Sequence, residues 1–261
     1  MKNDLAVRTD EFYTYLRRWL VRYSLPQEKF ILLGHYRAGT TLLSDLLNSH
    51  PRIRCDGELF LPFVKLNYRK VLFPHTYIQY HASKTKQPVY GFDLKVVQIF
   101  EILPAFQDSP RHFLQKLHQE GWKIIYLKRS NLLRQAISNL MARSRDEWHE
   151  KKDRPLQRQS VSIEVKKLIK EIEYHEDNLQ KASAFLKNLP YLEITYESDL
   201  LKSENHQKTL DRIFDYLGVE SVSVKTQHQK VSRKNISQDL ENYEEIKEAV
   251  SQTKYAAFLK A

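Results

Sequence analysis

The 261-residue chain has one cysteine, Cys55, so it can close no intrachain disulfide and offers no cysteine-rich zinc set. A reducing compartment is compatible with that. Its longest apolar runs are about five residues, far short of the roughly 20 that a membrane-spanning helix requires. The first residues include Asp4, Asp10 and Glu11 and no apolar stretch, so no signal peptide and a cytoplasmic location are expected. With 6 glycines and 9 prolines, no long flexible linker is indicated, and one domain over residues 1–261 is expected. One further absence bears on chemistry. The run Gly34-x-x-x-x-Gly39-Thr40-Thr41 has the spacing of a phosphate-binding loop. Thr40 stands where a nucleoside triphosphatase carries the lysine that grips the β- and γ-phosphates. The loop reads as a cradle for phosphate or sulfate that is not built for a standard ATP mechanism.

What is present is positive charge. Lysine and arginine number 42 against 32 acidic residues, a net charge of +10. That favours a polyanionic ligand, such as a nucleotide with several phosphates, or an acidic substrate. The basic residues are dispersed and carry no nucleic-acid motif, so nucleic acid is not an expected partner.

The order of elements argues for an α/β fold, a mostly parallel sheet flanked by helices. Phe30–Leu33 is a short apolar run before the loop, and the helix opened by Thr40 and Thr41 carries Leu42, Leu43, Leu46 and Leu47 on one face. Val89–Lys95, Trp122–Leu127 and Tyr191–Tyr196 read as further strands, and residues 52–60 as a short extended segment with a glycine turn. Helices are predicted over about 9–24, 109–119, from Asn131 as N-cap, 161–189, 203–217 with Gly218 as C-cap, and 240–259. Residues 61–88, rich in aromatic and basic side chains, and the polar stretch 143–160 are expected to be acceptor-binding insertions or irregular connections.

Four features carry chemistry. Backbone amides of the loop, the helix N-terminus behind it and Arg37 make an anion site. Arg129, at a strand end facing the ligand crevice, either binds a second phosphate with Ser138 of the following helix or caps the sheet edge while Ser138 faces solvent. Glu58, about 17 residues beyond the loop, is either a carboxylate that takes the proton of an attacking hydroxyl or a surface residue or helix cap, and its position after the loop helix favours the first. A late basic run includes Lys234 and Asn235 and is either a nucleotide cover or a solvated surface. Lys95, on a strand, either assists the transferring group or caps the sheet. No metal-ligand cluster appears, and no metal is expected.

The run Arg37-Ala38-Gly39-Thr40-Thr41-Leu42-Leu43, with Asn48-Ser49-His50-Pro51 and then Gly57-Glu58, resembles the sulfotransferases that use 3′-phosphoadenylyl sulfate (PAPS). The similarity is greatest to the branch with tyrosylprotein and bacterial carbohydrate sulfotransferases. Ile124–Arg129 through Ser138 resembles the family's 3′-phosphate motif, although Arg129 and Ser138 are nine apart where the family has eight. Tyr196-Glu197, Ile213–Gly218, Lys234-Asn235 and Asn242–Glu245 resemble its later segments. The resemblance implies a P-loop sulfotransferase fold, with PAPS as donor and adenosine 3′,5′-bisphosphate (PAP) as product. It implies a hydroxyl-bearing glycan or small molecule as acceptor. Glu58 would be the base, with Arg37 and Lys95 at the reacting group. Arg37, Ala38, Gly39, Thr40, Thr41, Arg129, Ser138, Tyr196, Lys234 and Asn235 would hold the donor. A P-loop small-molecule kinase and a non-catalytic polyanion-binding protein are the alternatives, the first opposed by the missing loop lysine.

Overall fold

The structure is a computed structural model and describes residues 2–21, 24–66, 70–103, 109–145, 160–224 and 236–260. The strands are β1 (Glu28–Gly34), β2 (Ile53–Glu58), β3 (Val89–Lys95), β4 (Trp122–Lys128) and β5 (Leu192–Thr195). The helices are α1 (Lys2–Leu20), α2 (Thr40–Asn48), α3 (Leu61–Val64), α4 (Pro74–Ser83), α5 (Val96–Ile102), α6 (Pro110–Gln119), α7 (Leu132–Arg145), α8 (Val165–Leu186), α9 (His206–Leu217) and α10 (Tyr243–Ser251). The sheet order is β2-β3-β1-β4-β5, and every pairing is parallel.

Parallel strands covered on both faces read as near-continuous apolar runs, because alternate side chains enter different layers. Ile31 and Leu33 of β1 join Phe92, Leu94, Ile124 and Tyr126 in one layer, with α5, α6 and α8. Phe30 and Leu32 join Ile125, Leu127 and Ile194 in the other, with α2 and α9. A third cluster packs α7, α8 and α10 together through Leu133, Ile137, Leu168, Ile172 and Ile246.

The topology positions the site. From β1 the chain goes out to β2, returns to β3, then crosses to β4 on the other side of β1. The loop after β1 therefore lies at the reversal of strand order, where open α/β sheets bind ligands beyond the strands' carboxyl ends. Register brings Gly34 level with Lys95 of β3 and Leu127 of β4. Glu58 pairs with Asp93 across a register shift between Asp56 and Glu58. Gly57 is thus the extra residue of a bulge, a device that re-aims the side chain after it.

Several helix ends follow local chemistry. Asn131 caps α7 by accepting the Arg134 amide at 2.9 Å, and Ser109 caps α6 by accepting that of His112 at 3.3 Å. Gly218 ends α9 with φ 76°. The structure also differs from expectation. The first helix is Lys2–Leu20 rather than 9–24, since its polar start lacks the aromatic repeat that marked the rest. Residues 52–60 contain a true edge strand, and α5 follows β3 without a break. Within 61–88, Phe63, Tyr77 and Tyr80 are buried core side chains. Most of the expected insertion 143–160 lies outside the described residues, α7 running only to Arg145.

Candidate active site

The loop between β1 and α2 is held in a conformation few residues adopt. Arg37 has φ 62° and Gly39 φ 102°. A Cβ at Gly39 would lie 2.6 Å from the Tyr196 ring, so both the backbone angle and the space require glycine. A left-handed non-glycine residue such as Arg37 carries a conformational cost, which persists where surrounding contacts over-determine it. Here the Arg37 carbonyl accepts from Arg129 Nη1 at 3.3 Å, and the neighbouring Tyr36 carbonyl accepts from buried Gln135 at 2.8 Å.

On the β3 flank, the Lys95 ammonium donates to Thr40 Oγ1 at 2.5 Å and to Asp93 Oδ2 at 2.6 Å, and stands 3.9 Å from Glu58 Oε1. Lys95 and Asp93 are both buried. Thr40 occupies the position of the missing loop lysine, so the cation absent from the loop is returned by the adjacent strand. Glu58 Oε2 accepts from Gln98 Nε2 at 2.7 Å. Burial pushes the Glu58 carboxyl above the usual glutamate range, with Asp93 adding to the rise; Lys95 and the Gln98 hydrogen bond oppose it. His35 sits behind the loop, its Nε2 2.9 Å from the Tyr126 hydroxyl. Burial and then the Lys95 charge push His35 down to about 4, which keeps it neutral at pH 7.

On the β4 flank, cations gather. Arg37 Nε donates to Ser138 Oγ at 3.1 Å, so the nine-residue spacing still brings Ser138 of α7 to the loop. Burial, and then Arg129, lower the Arg37 pKa. The Arg129 guanidinium lies 4.6 Å from the centre of the Tyr196 ring and donates to Glu197 at 3.2 Å. Glu197 also accepts from the Ser130 amide at 2.8 Å and the Ser130 hydroxyl at 3.0 Å. Burial alone would raise the Glu197 pKa; the Ser130 amide and the Arg129 charge outweigh it and hold the carboxyl below its ordinary range. Tyr196 and Glu197 lie in a π-helical turn, Tyr196–Leu200, closed by the Leu201 amide on the Tyr196 carbonyl at 2.7 Å.

The structure thus brings Arg37, Ala38, Gly39, Thr40, Glu58, Lys95, Arg129, Ser138 and Tyr196 around one loop, with Thr41 exposed on the first turn of α2. Lys234 and Asn235 lie outside the described residues. Sequence reasoning missed Gln98 and gave Glu197 no role. Gln98 was signalled by its place three residues into a helix that begins at a strand end, the capping position for Gln or Glu. A hollow of about 230 Å³ lined by Phe73, His75, Phe113 and Lys116 contains none of these residues. Among the described residues no group of three or more His, Cys, Asp or Glu side chains is arranged to hold a metal, and no helix is long and apolar enough to cross a membrane.

Comparison with known proteins shows the family. Residues 29–223 match the model of the sulfotransferase family, and the chain belongs to that family. Nodulation protein H of Rhizobium tropici is 26% identical over 247 residues, covering 90% of this chain and 95% of that protein. The crystal structure of a sulfotransferase from Alicyclobacillus acidocaldarius is similar with a TM-score of 0.49 at 15% identity, covering 90% of this chain and 96% of that one. A mouse sulfotransferase in complex with PAP is similar with a TM-score of 0.45 at 15% identity, covering 90% of this chain and 76% of that one. Family membership makes the chain a sulfotransferase and displaces the kinase and polyanion-binding alternatives.

Proposed function

We propose, from membership of the sulfotransferase family, that this enzyme moves the sulfuryl group of PAPS to a hydroxyl of a glycan or small molecule. The observation that carries the reading is the pairing of a half-buried carboxylate, Glu58, with a buried ammonium, Lys95, 3.9 Å apart beside an anion loop. The acceptor hydroxyl gives its proton to Glu58 while its oxygen forms a bond to sulfur. The bond from sulfur to the 5′-phosphate oxygen breaks, and its electron pair leaves with PAP. Lys95, Arg37 and the amides from Ala38 to Thr40 face the charge that develops on the leaving oxygen. Preorganised donors of this kind are commonly the largest single term in such catalysis. Arg129 and Ser138 fit the 3′-phosphate of the donor, with the Tyr196 ring against the Arg129 guanidinium.

A raised carboxyl pKa suits a general base that must take the acceptor's proton and give it up to solvent again near neutral pH. Because the base works ionised, activity falls as pH drops through the Glu58 pKa, and that fall begins above the ordinary glutamate range. Calorimetric titration with PAP and ATP, followed by a panel of hydroxyl acceptors with ³⁵S-labelled PAPS, tests the reading. Tight binding of PAP, weaker binding of ATP and label transfer to a glycan or small-molecule hydroxyl are expected. Preference for ATP, or no transfer to any hydroxyl, would contradict it.

A further inference from the structure

Gln98 is fully buried, on the first turn of α5, and its side chain ties the two reacting flanks of Glu58 and Lys95 together. Its Oε1 accepts the backbone amide of Lys95 at 3.1 Å, and its Nε2 donates to Glu58 Oε2 at 2.7 Å. The two contacts fix the orientation of the amide. An N–H must be met by oxygen, and a carboxylate accepts only from a donor, so the reverse orientation would lose both bonds. We infer that Gln98 is a positioning residue for sulfuryl transfer: it occupies one oxygen of Glu58 and leaves Oε1, the oxygen facing Lys95, as the one that takes the acceptor proton.

The inference rests on the reading of Glu58 as base and adds which oxygen acts and what selects it. A carboxylate on the flexible end of a glutamate side chain can present either oxygen. Burying one of them against a donor that is itself anchored to the backbone of β3's last residue removes that freedom. The proton is then accepted 3.9 Å from the Lys95 ammonium, which is bonded to Thr40 of the loop. Base, cation and loop are linked by one chain of contacts from Glu58 through Gln98 and Lys95 to Thr40. The sequence form of this device is Lys95-x-x-Gln98 at a strand-to-helix junction, with a glycine bulge one residue ahead of the base on the neighbouring strand.

Gln98 also stabilises the ionised form of Glu58, since it donates to a carboxylate. The near-isosteric Gln98→Met removes both contacts and keeps the packing, and Gln98→Glu keeps the acceptor for the Lys95 amide while losing the donor. The test follows the Glu58 carboxyl by ¹³C NMR titration in wild type and in both variants, alongside kcat and the KM for PAPS on the best acceptor of the panel. Expected are a Glu58 titration moved to higher pH in both variants, further in Gln98→Glu because two carboxyls then face each other. Transfer should slow on the order of tenfold in Gln98→Met, part of what general-base catalysis supplies, with the KM for PAPS within about twofold. A purely structural role for Gln98 would leave the titration of Glu58 where it is, and that result overturns the inference. Should Gln98→Met fail to fold, Gln98→Leu, which likewise removes the donor without adding a charge, takes its place. Full activity in Glu58→Gln would instead overturn the reading of the base, a result separable from the titration.

Discussion

Two glutamates flank the phosphate loop, and their surroundings drive them in opposite directions. Glu58, re-aimed by the Gly57 bulge at the end of β2, is raised chiefly by burial, with one amide donor and a lysine 3.9 Å away as partial compensation. Glu197, in the π-helical turn after β5, meets the same desolvation, but the Ser130 amide and hydroxyl and the Arg129 guanidinium more than offset it. A carboxylate saturated with donors is a brace; one left under-solvated retains an appetite for a proton. The comparison teaches which glutamate can do chemistry and which holds a cation in place, and it follows from partners rather than from residue type. The same division extends to the cations. Lys95 is held by a carboxylate and a loop hydroxyl on the β3 side, whereas Arg129, on the β4 side, is held by the Arg37 carbonyl, the Glu197 carboxylate and an aromatic face.

The largest expected effect is on the chemical flank. Glu58→Gln should slow transfer at saturating substrates by about 10²–10⁴-fold, with PAP affinity by calorimetry within about twofold. Equal losses of rate in Glu58→Gln and Glu197→Gln would break the division between the flanks. Next is Lys95→Met, which leaves Asp93 as a buried carboxylate without its cation. Urea denaturation should register a loss of about 3–5 kcal/mol, the cost of breaking a buried pair. Adding Asp93→Asn to the same chain should recover part of it, because the unpaired charge is gone.

On the binding flank, Glu197→Ala removes the brace of Arg129 and should cost about 2 kcal/mol of stability, together with weaker PAP binding and an almost unchanged rate once PAPS saturates. This contribution has a pH window. A carboxyl held below its unfolded value adds stability that is present above the unfolded pKa and fades as pH falls through the folded one. Glu58 behaves oppositely: its ionised form is disfavoured by folding, so stability rises as pH falls through its raised pKa, and Glu58→Gln should melt higher than wild type at pH 7. Smallest is Gly39→Ala, expected to destabilise by about 1–2 kcal/mol through its left-handed backbone alone. The contact with Tyr196 adds to this. Tyr196→Leu in the Gly39→Ala background should relieve the contact but not the backbone term, as thermal melts of the three chains would report.

Much of the fold was legible because parallel strands buried on both faces leave short apolar runs, and those of β1, β3 and β4 stand out. The edge strand β2 did not, since polar residues fill it and its alternation is interrupted at Gly57. α5 was hidden for the opposite reason: Val96 to Ile102 continue the apolar character of β3 with no intervening turn residue. At the site, the loop spacing and the strand-end position of Arg129 were visible in one dimension. The bonds from Lys95 to Thr40 and from Arg37 to Ser138 were not, because they depend on register between neighbouring strands and on which face of α7 turns inward. The rings of Phe63, Tyr77 and Tyr80 show the limit of composition, since aromatics that would suit a sugar face serve here as core.

Burial and donor count push the two glutamates apart in acidity. A ¹³C NMR titration of the side-chain carboxyls in the wild-type protein, with Glu58→Gln and Glu197→Gln assigning the two signals, measures that difference. Glu58 is expected to titrate above the ordinary glutamate value of about 4.3 and Glu197 below it. Titration of both at the same pH, or of Glu197 above Glu58, would contradict the account.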